Sequence, residues 1–161
     1  MTGTPAFTRQ PLRIGVVGFS QPEFDHDLAR SLLEAAICKA IAQFGHDGLA
    51  SEIEVVSGLT SMGVPLIAYQ LARARGFRTV GISAKQALRV KAGVFAVDAC
   101  LIEGEAFGDE SSLFVSYIDC LIRVGGGPQS HKEVSMFRQR CTEERWQVQQ
   151  RLIEHDVAFL G

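Results

Sequence analysis

The residues with the clearest chemical potential stand in Val124-Gly125-Gly126-Gly127-Pro128-Gln129-Ser130-His131-Lys132-Glu133, where three glycines run into a helical pattern. Glycine lets a bulky group come close to the main chain, and the first amides of a helix lack intrahelical acceptors. The helix dipole adds partial positive charge at that end, so an anion such as phosphate is the natural guest. Gln129 and Ser130 offer side-chain hydrogen bonds to the same guest. Glu133 either touches a ligand or is an acid placed to suit the dipole of the first turns. Two further loops have a similar build: Gly18-Phe19-Ser20-Gln21-Pro22, and Ser57-Gly58-Leu59-Thr60-Ser61-Met62-Gly63-Val64-Pro65. The candidate ligand-binding residues are Gly18, Phe19, Ser20, Ser57, Gly58, Leu59, Thr60, Met62, Gly63, Gly125, Gly126, Gly127, Gln129, Ser130 and Glu133. Glu133 is also the candidate catalytic group.

Other chemistries lack support. The first loop does not give the G-x-G-x-x-G dinucleotide fingerprint, and no acid ends the second strand, which disfavours NAD. No glycine loop ends in Gly-Lys-Ser or Gly-Lys-Thr. Cys38, Cys100, Cys120 and Cys141 are widely spaced, with no C-x-x-C pair, so no metal site is expected and buried reduced thiols are the default. No His–Cys or Ser–His–Asp set has usable spacing for nucleophilic catalysis. The net charge of -2 gives no strong field for nucleic acid or an anionic membrane. The absence of a signal-like start and of any apolar run near ~20 residues points to the cytoplasm.

These loops need a scaffold that brings them together. Short apolar runs at 13–18, 53–56, 79–83, 99–102 and 120–124 predict strands, the first buried on both faces. Helices are expected over about 23–44, 65–75, 110–118 and 129–140, with a short one near 86–91. Thr142-Glu143-Glu144 reads as the cap of a last helix carrying Trp146, Val148 and Leu152. Val157 to Leu160 reads as a sixth, edge strand or a continuation of that helix. Residues 1–10 read as a loose tail and the rest as one domain over 1–161. The alternation predicts an α/β, Rossmann-like three-layer sandwich, with a mostly parallel sheet of five to six strands and helices on both faces. All three loops then meet at the carboxyl edge, where such sheets bind ligands.

Gly126-Gly127-Pro128-Gln129-Ser130-His131-Lys132-Glu133 resembles the G-G-x-G-T-x-x-E motif of the Lonely Guy (LOG) proteins. Ser61-Met62-Gly63 is similar to their second glycine loop, and Val56-Ser57-Gly58-Leu59 resembles the DNA-processing protein of natural transformation. Both families belong to the SLOG superfamily, as do the molybdenum cofactor carrier proteins. The resemblance covers Arg13 to about Arg140. It implies a Rossmann-like pocket for a nucleotide-derived ligand, AMP-like or a pterin phosphate, in a homodimer. LOG enzymes cleave the N-glycosidic bond of cytokinin ribotides, and their motif glutamate falls on Glu133. Their motif Gly and Thr fall on Gln129 and Ser130. Their catalytic Arg would fall near Asp109-Glu110-Ser111-Ser112, where no base stands. The resemblance therefore implies ligand binding without efficient catalysis. A phosphoribohydrolase, a molybdenum cofactor carrier and a DNA-processing or signalling module are the alternatives.

Overall fold

The structure is a computed structural model that describes residues 10–45, 52–89 and 93–160. Six strands form one sheet: β1 (Leu12–Gly18), β2 (Ile53–Ser57), β3 (Arg78–Ser83), β4 (Ala99–Ile102), β5 (Cys120–Val124) and β6 (Leu152–His155). The spatial order is β4-β3-β2-β1-β5-β6, and every pairing is parallel. The helices are α1 (His26–Gln43), α2 (Gly63–Ala74), α3 (Ser111–Tyr117) and α4 (Pro128–Glu144). The expected three-layer α/β sandwich is thus observed.

The central strands carry few polar residues because both of their faces are covered. Ile14, Val16, Ile53, Val55, Ile122 and Val124 pack with α1 and α2. Val17, Val56, Val80, Ile82 and Leu121 pack with α3 and α4 on the other face. Each such side chain contributes about 1.5–3 kcal/mol by leaving water. Strand order reverses at β1, which pairs with β2 on one side (Leu12 opposite Ile53) and β5 on the other (Ile14 opposite Cys120). The crevice between the carboxyl ends of β1 and β5 is therefore the switch point.

Helix starts follow local chemistry. Asp25 caps α1 by accepting the Leu28 N–H at 3.0 Å. Helix α2 begins at Gly63, two residues before Pro65, which sits in its first turn where a missing N–H costs nothing. The short helix expected near 86–91 is a 3₁₀ turn over Lys85–Arg89; residues 90–92 lie outside the described set, as do residues 1–9 of the expected tail.

The carboxyl-terminal region departs from expectation. Thr142, Glu143 and Glu144 do not cap a new helix; they complete α4. Arg145 then adopts φ 59°, ψ 36°, and the Trp146 N–H returns to the Cys141 carbonyl at 2.8 Å. This left-handed closure ends the helix without a glycine. Guanidinium groups of Arg140 and Arg151 lie over the Trp146 ring at 4.7 and 3.6 Å. The sixth strand is Leu152–His155 rather than 157–160, paired parallel with β5 from Leu121–Leu152 to Val124–His155. Residues 157–160 instead return across the crevice edge, with a single antiparallel bridge between Phe159 and Phe24.

The thiols divide by layer. Cys120 and Cys141 are buried as expected, and burial raises both pKa values. Cys38 and Cys100 are exposed, because one faces outward from α1 and the other lies on the edge strand β4. No helix among the described residues is long and apolar enough to cross a membrane.

Candidate functional site

The loop after β1 is fixed first. The Phe19 carbonyl accepts the Val64 N–H at 2.7 Å, tying this loop to the start of α2. Phe19 also lies against Phe24 and Phe159, with ring centroids 5.6 and 5.4 Å away. At β2, the Ser57 hydroxyl donates to the Val16 carbonyl at 2.7 Å, and the Leu59 N–H donates to Ser83 Oγ at 2.8 Å. Buried Tyr69 donates to the Gly58 carbonyl at 2.8 Å, and desolvation pushes its pKa up. At β5, the Ser130 hydroxyl donates to the Gly18 carbonyl at 3.2 Å. These bonds hold three strand ends in one arrangement.

Between them lies a cavity of about 510 Å³, within the range of small-molecule sites. Its walls include Phe19, Ser20 and Gln21 after β1; Ser57, Gly58 and Thr60 after β2; and Gly127, Pro128, Gln129, Ser130 and Glu133 after β5. Gly18, Leu59, Met62, Gly63, Gly125 and Gly126 do not line the cavity. Their loops pack on one another: a Cβ on Gly63 would overlap the Phe19 carbonyl, and one on Gly125 would overlap the Phe19 ring. Gly127 differs, since no heavy atom lies within 4 Å of its added Cβ.

The sequence did not single out the remaining lining. Phe107 and Glu110 come from the loop between β4 and α3, Phe114 from α3, Ile82 and Ser83 from β3, and Phe159 from the returning tail. Exposed Phe107 and Phe159 were legible as apolar residues in loops, but nothing local showed where they would stand. His26 does not line the cavity; its ring stacks on Phe24 at 4.3 Å. His131 is exposed and is likewise absent from the wall.

The electrostatics are lopsided. Two carboxyl side chains, Glu110 and Glu133, line the cavity, and no Lys, Arg or His does among the described residues. Glu110 is tied down: its Oε1 accepts from Gln129 Nε2 and its Oε2 from the Gly108 N–H, both at 3.0 Å. Glu133 is 7% exposed. Burial, with help from the Glu110 charge, lifts its pKa from 4.5 to about 7. Ser111 and Lys132 oppose that shift, although the Ser111 hydroxyl makes no well-formed hydrogen bond. The other polarity comes from the main chain. No side chain caps the N-terminus of α4, whose first residues Pro128, Gln129 and Ser130 form the rim. A helix start leaves its first amides without intrahelical acceptors. The site can therefore hold an anion by backbone amides at one end and meet carboxyl groups at another.

No family model matches the chain, and no curated protein matches its sequence. Solved structures do match its shape. The molybdenum cofactor carrier protein from Chlamydomonas reinhardtii superposes with TM-score 0.60 at 23% identity, covering 82% of this chain and 73% of that one. The molybdenum cofactor binding protein from the phototrophic bacterium Rippkaea orientalis gives TM-score 0.62 at 23% identity, covering 91% and 77%. The chain has the fold of the molybdenum cofactor carriers. The superfamily resemblance read from the glycine loops holds at the level of the fold, since those carriers were among the relatives it implied.

Proposed function

We propose that the chain binds a nucleotide or nucleotide-derived phosphorylated ligand in the crevice beside β1, as a binder or carrier without efficient turnover. One observation carries the reading: three loops from separate strands line a single cavity at the switch point, with an uncapped helix start on its rim. Aromatic walls suit a flat ring, and backbone amides suit a phosphate. Among the described residues no cation lines this wall, so backbone amides are the groups offered to the anion.

The same geometry argues against efficient glycosidic hydrolysis. The LOG resemblance calls for a cationic side chain near residues 109–112, and Glu110 lines the cavity there instead. An acid at that place repels phosphate and cannot balance its charge. A pterin phosphate is favoured among ligands by the likeness to carriers of the molybdenum cofactor. Among the described residues, no group of three His, Cys, Asp or Glu is placed to hold a metal ion.

Calorimetry with AMP, modified adenosine monophosphates and pterin phosphates tests the proposal. Saturable heat with at least one of them is the expected result, and no heat with any ends the reading. Release of adenine from AMP, lost in Glu133→Ala, would establish the hydrolase instead.

A further inference from the structure

Four phenyl rings, Phe19, Phe107, Phe114 and Phe159, share the cavity wall with two carboxyl groups, Glu110 and Glu133. The face of an aromatic ring carries partial negative charge and attracts cations. Elsewhere this chain covers such faces itself: guanidinium groups lie over Tyr117, Phe95, Trp146 and Phe44 at 3.6–5.1 Å. Among the described residues, no such contact reaches the four cavity rings, and no Lys, Arg or His lines the wall. The two carboxyl groups do have neutral partners. Gln129 and the Gly108 N–H donate to Glu110, and the Ser111 hydroxyl acts on Glu133. Neutral donors satisfy the oxygens but leave two negative charges facing one hollow. Lys132 eases Glu133 only from outside the wall. Rings and carboxylates thus agree in sign, and both favour a positively charged guest.

We propose that the part of the guest lying against these rings is a positively charged flat heterocycle, such as a pyridinium, carried on a phosphorylated ligand. The guest's place in the crevice rests on the ligand reading above; its positive charge is what the walls add. The phosphate meets the uncapped start of α4, where main-chain amides are free to donate. Glu133 stands about one turn, ~5.4 Å, further along the same helix from Gln129. The two ends of one guest therefore meet groups of opposite charge on a single helix. A neutral base would gain the ring contacts, yet its entry would strip water from two carboxylates without balancing them. A flat cation gains from both. A small ammonium without a ring would reach the carboxylates but leave most of a cavity of about 510 Å³ unfilled.

Calorimetry on the full chain at pH 8 tests the charge with four probes: oxidised nicotinamide mononucleotide, its reduced dihydropyridine form, AMP, and nicotinamide riboside. The oxidised and reduced mononucleotides differ in ring charge and little in shape. The oxidised form is expected to bind at least tenfold tighter than the reduced form or AMP. That ratio is expected to fall below threefold in Glu110→Gln and in Glu133→Gln. Equal binding of the oxidised and reduced forms by the unaltered chain overturns the proposal while leaving the ligand reading intact. So does binding of AMP in preference to the oxidised form. If nicotinamide riboside binds as tightly as the mononucleotide, the positive charge stands and the phosphate part of the earlier reading falls. If none of the four binds, both fall. The oxidised-to-reduced comparison needs no variant, so misfolding of either Gln variant would not shelter the idea.

Discussion

A carboxyl group kept from water is a stability cost as well as a binding device. The folded pKa of Glu133 is raised to about 7 from 4.5, so the folded state holds an extra proton between those values. Stability should then fall as pH rises from 4.5 through 7, by up to about 3 kcal/mol. Glu133→Gln should remove that slope: its melting temperature should match the parent near pH 4.5 and exceed it at pH 8. Equal melting temperatures at pH 8 would mean the carboxyl is better solvated than its burial indicates. At this scale the sequence was half legible. Glu133 stood out because a glycine motif precedes it, whereas Glu110 did not, because its meaning comes from Gln129 and Glu133 across a gap of some twenty residues. Phe159 was harder still, since it meets Phe19 from 140 positions away along the chain.

The loops show why glycine content alone does not reveal what glycine is for. Gly63 has φ 69°, and its missing Cβ makes room for the Phe19 carbonyl. Gly63→Ala should cost about 3 kcal/mol or more, through both strain and overlap with rigid backbone. Gly127→Ala should leave the melting temperature within a degree or two, because its Cβ enters open space at φ -102°. Gly127→Ala should nonetheless weaken the calorimetric response to a phosphorylated ligand, since the new methyl projects beside the start of α4. A result in the opposite order, with Gly127→Ala unfolding and Gly63→Ala tolerated, would contradict this loop packing. The apolar strands were readable because burial on both faces removes the polar alternation that otherwise confuses assignment. The end of α4 was not, because Arg145 takes a left-handed conformation that sequence reserves for glycine or asparagine.

Across the whole molecule, the sheet is held at its β6 edge by one buried cation. Arg123 donates to Glu154 and Asp156 at 2.8 Å each, and to the Gly125 carbonyl at 2.9 Å. It therefore joins β6 to the glycine loop beyond β5. Asp156 is exposed and Glu154 partly so, which weakens the ionic share through solvent screening. Arg123→Met should cost about 2 kcal/mol and speed amide exchange in residues 152–155 while β1 and β2 stay protected. Uniformly faster exchange would mean that β6 opens only with the entire sheet. Directly after β6, the chain swings back so that the Leu160 N–H meets the Glu23 carbonyl at 2.7 Å and Phe159 forms part of the cavity wall. The cavity and the outermost strand are thus consecutive parts of one strap. A guest resting on the Phe159 ring would tighten the strap's far anchorage, and by thermodynamic reciprocity a looser anchorage would loosen the guest to the same degree.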